Sequence, residues 1–161
     1  MNYRTGIGFD VHAFTKGRKL ILGGIEIPFE KGLAGHSDAD AVLHAVTDAL
    51  LGSLALGDIG KHFPDSDNKY KNADSSFFLI EAYKLVKEKD YSLSNVDVVI
   101  ALQQPKLSPY IQRMRENIAS MINAEMEQVS LKATTTERLG FVGREEGIAA
   151  FATVTVVKRS I

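Results

Sequence analysis

Two residues near the amino terminus could bind a metal ion together. Asp10 and His12 stand two apart in residues 3–12, whose alternating pattern predicts a strand, so both side chains should point to the same side. A polar strand end is common, and this pair alone is a weak signal. His44 offers a second imidazole from a helical segment, although a lone histidine in an apolar helix is more often a hydrogen-bonded core residue.

These three residues together form a stronger signal. Two imidazoles and one carboxylate leave the fourth position of a tetrahedral zinc ion open, which is typical of a catalytic rather than a structural site. Gly6 and Gly8 precede the pair and could let another backbone or a ligand approach closely. Asp48, one turn beyond His44, could orient an imidazole; a solvated or core-bonded aspartate is an equally good interpretation.

A second polar cluster follows a predicted strand at residues 134–137, which are Thr-Thr-Thr-Glu. Its hydroxyls and free backbone amides could hold a diphosphate, and Glu137 could give an oxygen to a Mg²⁺ or Mn²⁺ ion that the phosphates already bind. The alternative is a β-bulge or a run of capping threonines. Lys106 and Arg144 are candidate phosphate-binding cations, although a single basic residue is more often a solvated surface charge.

An irregular loop carries three acidic residues, Asp58, Asp65 and Asp67. They could bind a sugar diol or a cation, or they could simply keep an exposed loop soluble.

The hydrophobic pattern predicts the elements that must position these groups. Residues 3–12 and 20–27 read as strands that could pair as a hairpin. Further strands are predicted at residues 96–102, 129–133 and 148–157, and helices at residues 39–56, at residues 75–89 and from residue 108 onward.

The helix predicted at residues 39–56 is apolar nearly all round. Its exceptions are Asp40, His44, Thr47 and Asp48, whose spacings of three and four place them in one narrow strip. A helix built for burial needs a reason for such a strip.

The order of the elements predicts an α/β fold of the α+β kind, a single domain over residues 1–161. We expect a mixed sheet of roughly four strands with helices on one face, plus the amino-terminal β-hairpin. The other face of the sheet would stay open, which predicts burial against other subunits.

The composition excludes several classes of protein. The chain has 161 residues, 45% of them hydrophobic, and a formal net charge of -1, so it has no basic field to attract nucleic acid or anionic membranes. It has no cysteine, so a metal would have to be held by histidines and carboxylates. Because no signal-peptide pattern or membrane-spanning apolar run is present, we expect a cytoplasmic protein.

Taken in order, the motifs resemble one family. They are GIGFDVH at residues 6–12, HSD at 36–38, LGDIG at 56–60, FPDSD at 63–67, NVD at 95–97, PK at 105–106, KATTTE at 132–137, LGF at 139–141, GR at 143–144 and EGIA at 146–149. Each is weak by itself, but the whole series is specific. The chain resembles the 2-C-methyl-D-erythritol 2,4-cyclodiphosphate synthase family of the non-mevalonate isoprenoid pathway over essentially its whole length.

The resemblance implies a homotrimer with active sites at the subunit interfaces. Asp10, His12 and His44 match the zinc ligands of the family. Glu137 matches the ligand of a second ion, Mg²⁺ or Mn²⁺, which bridges the substrate diphosphate. Near the trimer axis the family has a cavity that can hold an isoprenoid diphosphate, and residues there match Phe141 and Arg144.

The resemblance also implies a set of substrate-binding residues. Residues 102–108 match the cytidine pocket, and Asp58 and Gly60 match ribose contacts made from a neighbouring subunit. Residues 63–67 match the loop that meets the methylerythritol moiety. The complete expected set is Ser37, Asp58, Gly60, Phe63, Asp65, Asp67, Leu102, Pro105, Lys106, Leu107, Thr134, Thr136, Phe141 and Arg144.

The implied reaction is an intramolecular cyclisation. The 2-phosphate of 4-diphosphocytidyl-2-C-methyl-D-erythritol 2-phosphate attacks the β-phosphorus, expels CMP and closes a cyclic diphosphate. His36 and Thr135 match positions credited with holding the phosphates and stabilising the transition state, and with Glu137 they are the expected catalytic residues. Because the attacking phosphate oxygen is already ionised, no strong general base is required.

Two other functions stay open at this stage. A metal-dependent phosphohydrolase could use the same ligands, but it would release no cyclic product. A trimeric binding protein with structural zinc would bind a ligand without turnover, and it would leave the cluster at residues 134–137 unexplained.

Overall fold

The strands and helices follow the predicted order with several short additions. The computed structural model describes residues 2–64 and 66–159. Its elements are β1 (Tyr3–Lys16), β2 (Leu20–Leu22), β3 (Ile25–Ile27), β4 (Lys31–Leu33), α1 (Ala41–Ser53), α2 (Ile59–His62), α3 (Ser75–Glu88), β5 (Tyr91–Ala101), α4 (Ile111–Ile122), β6 (Val129–Thr134), α5 (Gly140–Gly143) and β7 (Gly147–Lys158), with 3-10 turns at Asn68–Tyr70 and Met126–Gln128.

Five strands form one mixed sheet in the order β4-β1-β7-β5-β6. Strand β7 is antiparallel to both β1 and β5, and β6 is parallel to β5. The strands β1, β5 and β6 therefore run in the same direction, and their carboxyl ends lie at one edge of the sheet. This architecture confirms the predicted α+β class. None of the helices in the described ranges is long and apolar enough to cross a membrane.

The predicted pairing of residues 3–12 with residues 20–27 is wrong. The second segment folds back on itself, so β2 and β3 form a separate two-stranded sheet. Gly23 and Gly24 make the turn with φ of 58° and 73°, a left-handed conformation that glycine adopts without steric cost. Strand β1 instead pairs with β4 on that side.

Two glycines bring helix α1 against strand β1. A Cβ on Gly6 would lie well within 3.0 Å of the carbonyl oxygen of Ala49, and a Cβ on Gly8 equally close to that of Ala45. The strand can therefore touch the helix backbone only because both side chains are absent. The close approach predicted at these glycines is confirmed, and it places His44 beside the end of β1.

The amino end of α1 explains part of the predicted polar strip. The helix begins at Ala41 rather than residue 39, and the fully buried Asp40 is its N-cap. Its carboxylate accepts hydrogen bonds from two amides of the helix and from those of Gly23 and Gly24. Thr47 donates its hydroxyl to the carbonyl of Leu43 at 2.7 Å. Both polar side chains are thus satisfied within the fold.

The sheet face opposite α1 is apolar and exposed. Ile7 is 71% exposed, Phe9 53% and Phe151 44%. Phe9 and Phe151 are cross-strand partners, with ring centroids 4.6 Å apart. This is the open face that the order of elements predicts.

Candidate metal centre and active site

The three predicted metal ligands meet at the carboxyl-terminal half of β1. Oδ2 of Asp10 lies 2.9 Å from Nε2 of His12 and 3.0 Å from Nδ1 of His44, and the two nitrogens are 3.3 Å apart. Among the described residues, these three side chains form the one group of at least three potential metal ligands whose ligand atoms all lie within 4.8 Å of one another. Their side chains are 13–26% exposed, so a ligand can still reach them. The three predicted ligands therefore form a group that could hold a metal ion.

A backbone carbonyl fixes the orientation of His12. Nδ1 of His12 lies 2.7 Å from the carbonyl oxygen of Ala34. A carbonyl can only accept, so in the neutral imidazole Nδ1 carries the proton and the lone pair is on Nε2, the nitrogen that faces Asp10 and His44. This is the tautomer that a metal ligand requires.

The charges in the triad favour an ionised carboxylate. Burial would raise the pKa of Asp10, but hydrogen bonding and charge attraction from the neighbouring imidazoles of His12 and His44, when these carry both protons, outweigh that effect and lower the pKa to about 2. Burial would lower the pKa of His12, but its ion pair with Asp10 outweighs that effect and raises the pKa above the usual 6.5. The site therefore keeps an anionic oxygen ready for a cation.

Asp48 does not orient an imidazole. Its Oδ1 accepts the backbone N–H of Ile59 at 2.7 Å, so the side chain ties α1 to the start of α2. The alternative that Asp48 is bonded within the fold is the correct one. The outer nitrogen of His44, Nε2, instead lies 2.8 Å from Oγ of Ser75 and 3.2 Å from Oγ of Ser37.

The triad lines a cleft of about 230 Å³, called here the metal cleft. His36, Ser37, Gly60 and Phe63 of the expected site line the same cleft. Arg18 donates to the carbonyl of Gly35 at 2.6 Å and to that of Ser37, so the loop that carries His36 is held from outside.

A second cleft, of about 390 Å³, contains six of the remaining expected residues and is called here the second cleft. Its lining includes Leu102, Pro105, Lys106, Leu107, Thr134 and Thr135. It shares no lining residue with the metal cleft.

The two clefts lie along the same edge of the sheet. Asp10 is in register with Ala150, then Ile100, then Ala133. These three steps from strand to strand separate Asp10 from Ala133 by about 14 Å at the backbone. The sequence motifs therefore form two separate groups on one chain.

Glu137 lies with the second group rather than with the triad. Its Oε1 accepts the hydroxyl of Thr135 at 3.0 Å. Glu137 and Arg138 have φ of 52° and 64°, a conformation that costs a residue with a side chain about 1–3 kcal/mol. Such strain persists only where the surrounding structure imposes it, and it often marks a functional segment.

The loop aspartates have local structural contacts. Asp58 caps α2 by accepting the amide of Lys61 at 2.8 Å. Asp67 accepts the amide of Lys69 at 3.1 Å and pairs with its ammonium at 3.0 Å. Neither aspartate lines either cleft. Asp65, also expected in the site, lies outside the described residues.

Three further expected residues line neither cleft. Thr136 donates its hydroxyl to the carbonyl of Leu139 at 2.7 Å, and Phe141 is 37% exposed on α5. Arg144 pairs with Glu146 at 2.8 Å on the surface. Their expected roles as substrate-binding or axial residues stay predictions.

Several residues of the metal cleft carry no functional signal in the sequence. Tyr70 and Lys71 line it, but a single aromatic and a single lysine in a loop carry no spacing signal. Phe78 lies within the helix predicted at residues 75–89, and it is both buried and part of the cleft. Ser75 begins that helix, and nothing in its sequence position indicates its contact with His44.

Comparison with known proteins gives one consistent result. The model of the YgbB family matches residues 3–157. The 2-C-methyl-D-erythritol 2,4-cyclodiphosphate synthase of Carboxydothermus hydrogenoformans is 60% identical over 156 residues, which cover 97% of this chain and 96% of that protein.

Solved structures agree with the sequence match. The bifunctional IspDF from Campylobacter jejuni superposes with a TM-score of 0.95 at 44% identity; the match covers 99% of this chain and 43% of that longer protein. IspF from Plasmodium falciparum, solved as a CDP complex, has a TM-score of 0.88 at 32% identity, with 99% and 98% of the two chains covered. This chain therefore belongs to the YgbB family, and its curated relatives are 2-C-methyl-D-erythritol 2,4-cyclodiphosphate synthases.

Proposed function

We propose that this protein is a 2-C-methyl-D-erythritol 2,4-cyclodiphosphate synthase. It converts 4-diphosphocytidyl-2-C-methyl-D-erythritol 2-phosphate to the cyclic diphosphate and releases CMP. One observation carries the proposal: in a chain 60% identical to such a synthase, the ligand atoms of Asp10, His12 and His44 converge in a cleft.

The donor set of this triad fits zinc. One carboxylate oxygen and two imidazole nitrogens are the ligands of a catalytic zinc site, with a fourth position left for substrate. When bound, zinc would polarise a phosphate oxygen and help to place it. The hydrogen bond from His12 to Ala34 already holds one imidazole in the required tautomer. The identity of the metal is part of the proposal.

Residues beside the triad would hold the phosphates. The imidazole of His36 and the hydroxyl of Ser37 lie in the metal cleft on a loop that Arg18 binds. Hydrogen bonds from both groups to phosphate oxygens would hold the 2-phosphate near the β-phosphorus. Holding both ends of one molecule favours internal attack, and well-oriented intramolecular reactions gain up to roughly 7–11 kcal/mol.

The second cleft would receive the cytidine end of the substrate. It combines an apolar wall at Leu102, Pro105 and Leu107 with Lys106 and the hydroxyls of Thr134 and Thr135. The CDP complex of the Plasmodium falciparum relative supports a cytidine nucleotide ligand. Glu137, whose carboxylate accepts the hydroxyl of Thr135, would be a ligand of the expected Mg²⁺ or Mn²⁺ ion. That ion would neutralise charge on the substrate diphosphate.

The proposal includes a homotrimer in which neighbouring subunits complete the site. The exposed apolar face with Ile7, Phe9 and Phe151 needs a cover. Since one chain carries the metal cleft and the second cleft as separate groups, assembly can bring the metal cleft of one subunit to the second cleft of the next. The isoprenoid diphosphate cavity at Phe141 and Arg144 and the cytoplasmic location stay predictions.

Phosphorus NMR tests the proposed reaction. The protein is incubated with the cytidyl diphosphate substrate and Mg²⁺, before and after removal of zinc. We expect a cyclic diphosphate and CMP, lost on zinc removal and restored by zinc. Linear phosphate products would instead identify a hydrolase. Unchanged substrate, from a metal-loaded protein with a verified trimer, would identify a binding protein.

A further inference from the structure

The hydroxyl of Ser75 is buried against the metal centre. Ser75 is the first residue of α3 and is 0% exposed. Its Oγ lies 2.8 Å from Nε2 of His44 and donates to Oδ1 of Asp38, and its backbone N–H donates to Oδ2 of Asp38 at 3.1 Å. The side chains of Asp38, Ser75 and His44 are thus connected in that order, and Ser75 meets His44 at the ring nitrogen that faces away from the other two metal ligands.

The directions of these hydrogen bonds follow from the number of protons. A carboxylate only accepts, and a serine hydroxyl has a single proton. Once Ser75 has donated that proton to Asp38, its oxygen can only accept from His44. A hydrogen bond between the two therefore requires the proton of His44 on Nε2, which leaves a lone pair on Nδ1. That atom lies 3.0 Å from Asp10 and 3.3 Å from Nε2 of His12.

A bound metal ion selects between the two tautomers of His44. Without an ion, Nδ1 can donate to Oδ2 of Asp10 at 3.0 Å, and Ser37, which uses only a lone pair to accept the amide of Ala39, can donate to Nε2. With an ion on Nδ1, that nitrogen must present its lone pair, so the proton lies on Nε2 and needs an acceptor. The oxygen of Ser75 is the nearer acceptor, at 2.8 Å.

We infer that Ser75, held by Asp38, is a positioning residue that keeps the proton of His44 on Nε2 and so presents Nδ1 to a metal ion. The inference rests on the proposed metal-dependent function. Ser75 touches neither the substrate nor the metal in this role. Together with the carbonyl of Ala34 behind His12, it would hold both imidazoles of the triad in the tautomers that a bound metal ion requires.

The tautomer can be measured directly on the wild-type protein. Long-range proton–nitrogen NMR of the zinc-loaded protein should show the proton of His44 on Nε2 and none on Nδ1. A proton on Nδ1 would overturn the inference whatever any variant does. The experiment requires no turnover, so its result is separate from that of the phosphorus NMR test.

Zinc affinity tests whether the hydroxyl of Ser75 helps His44 to bind a metal ion. In competition with a chromophoric chelator, Ser75→Ala should bind zinc about 10–100-fold more weakly than the wild type, the usual effect of losing a group that supports a ligand. Ser53→Ala is the matched control, because Ser53 is also buried, 3% exposed, and donates only to the carbonyl of Leu50. The control should bind zinc within about twofold of the wild type.

Two more measurements distinguish a changed orientation of His44 from a general loss of stability in the variant. Cobalt substituted for zinc should show altered visible absorption bands in Ser75→Ala and unaltered bands in Ser53→Ala. Ser75→Thr keeps the hydroxyl and should recover most of the zinc affinity. Wild-type affinity and an unchanged cobalt spectrum in a folded Ser75→Ala protein would contradict the inference. If Ser75→Ala fails to fold, the wild-type tautomer and the Ser75→Thr affinity still decide it.

Discussion

Gly8 of strand β1 lies directly against the carbonyl oxygen of Ala45 in helix α1. This contact sets the distance between the strand that carries Asp10 and His12 and the helix that carries His44. The metal centre therefore depends on a residue that has no side chain.

Replacing this glycine should damage both the fold and the site. Gly8→Ala would place a methyl group against a backbone carbonyl that cannot move independently of its helix, and such overpacking costs typically about 1–3 kcal/mol. We expect a loss of that size in urea denaturation, together with weaker zinc binding. Gly52→Ala is the control, since a Cβ there meets only the carbonyl oxygen of Ile7 at 3.7 Å. Equal stability of the two variants would contradict the packing argument.

His44→Ala should nearly abolish turnover while the fold persists. The substitution removes one of three converging ligand atoms, so the loss of zinc affinity should exceed the roughly 10–100-fold effect of losing a supporting residue. Metal content, CMP release and circular dichroism would be measured on the same preparation. Unchanged turnover with normal zinc content would rule out this histidine as a ligand.

Asp48→Ala distinguishes a structural from a metal-orienting aspartate. Because Asp48 accepts the amide of Ile59, its loss should lower the free energy of unfolding by about 1–3 kcal/mol. Zinc affinity should stay within about twofold of the wild type, as expected of a residue outside the network around the triad. A large drop in zinc affinity without a loss of stability would restore the orienting role.

The stability contribution of Asp40 should depend on pH. Burial raises the pKa of Asp40 to about 6, in spite of the hydrogen bonds that its carboxylate accepts from backbone amides. In the unfolded chain the pKa is about 3.9. Between these two pH values, Asp40 is protonated in the folded state but ionised in the unfolded chain. The contribution of Asp40 to stability therefore falls as the pH rises from about 4 to 6, and it is constant above that.

Urea denaturation of the wild type and of Asp40→Asn across this pH range would check the effect. The wild-type free energy of unfolding, minus that of the variant, should fall by on the order of 3 kcal/mol between pH 4 and 6. A constant difference would mean that the amide hydrogen bonds hold the carboxylate ionised at an ordinary pKa.

The exposed sheet face should determine the assembly state. We expect sedimentation to show a trimer for the wild type and smaller species for Phe9→Lys, because the lysine would place a charge where the apolar face needs a partner. Glu88→Lys, an exposed residue at the end of α3, is the control and should leave the trimer intact. A monomeric wild type that still turns over substrate would refute assembly through this face.

Some features of this protein follow from local sequence alone. The alternation around Asp10 and His12 places both on one side of a strand, and the helical period places His44 on a buried helix, so the triad could be predicted. The main strands and helices follow from the same periodicities, because the side of an element on which a residue lies depends only on its near neighbours. The motif series was also sufficient to indicate the family.

Other features required the tertiary structure. The turn at Gly23 and Gly24 gives residues 20–27 a partner other than β1, and the side chain of Asp48 binds Ile59 rather than an imidazole. Ser75, separated from His44 by 31 residues, has no local signal of its contact. Strand pairing and hydrogen-bond partners are chosen among groups distant in sequence, and only the packed chain determines which of them meet.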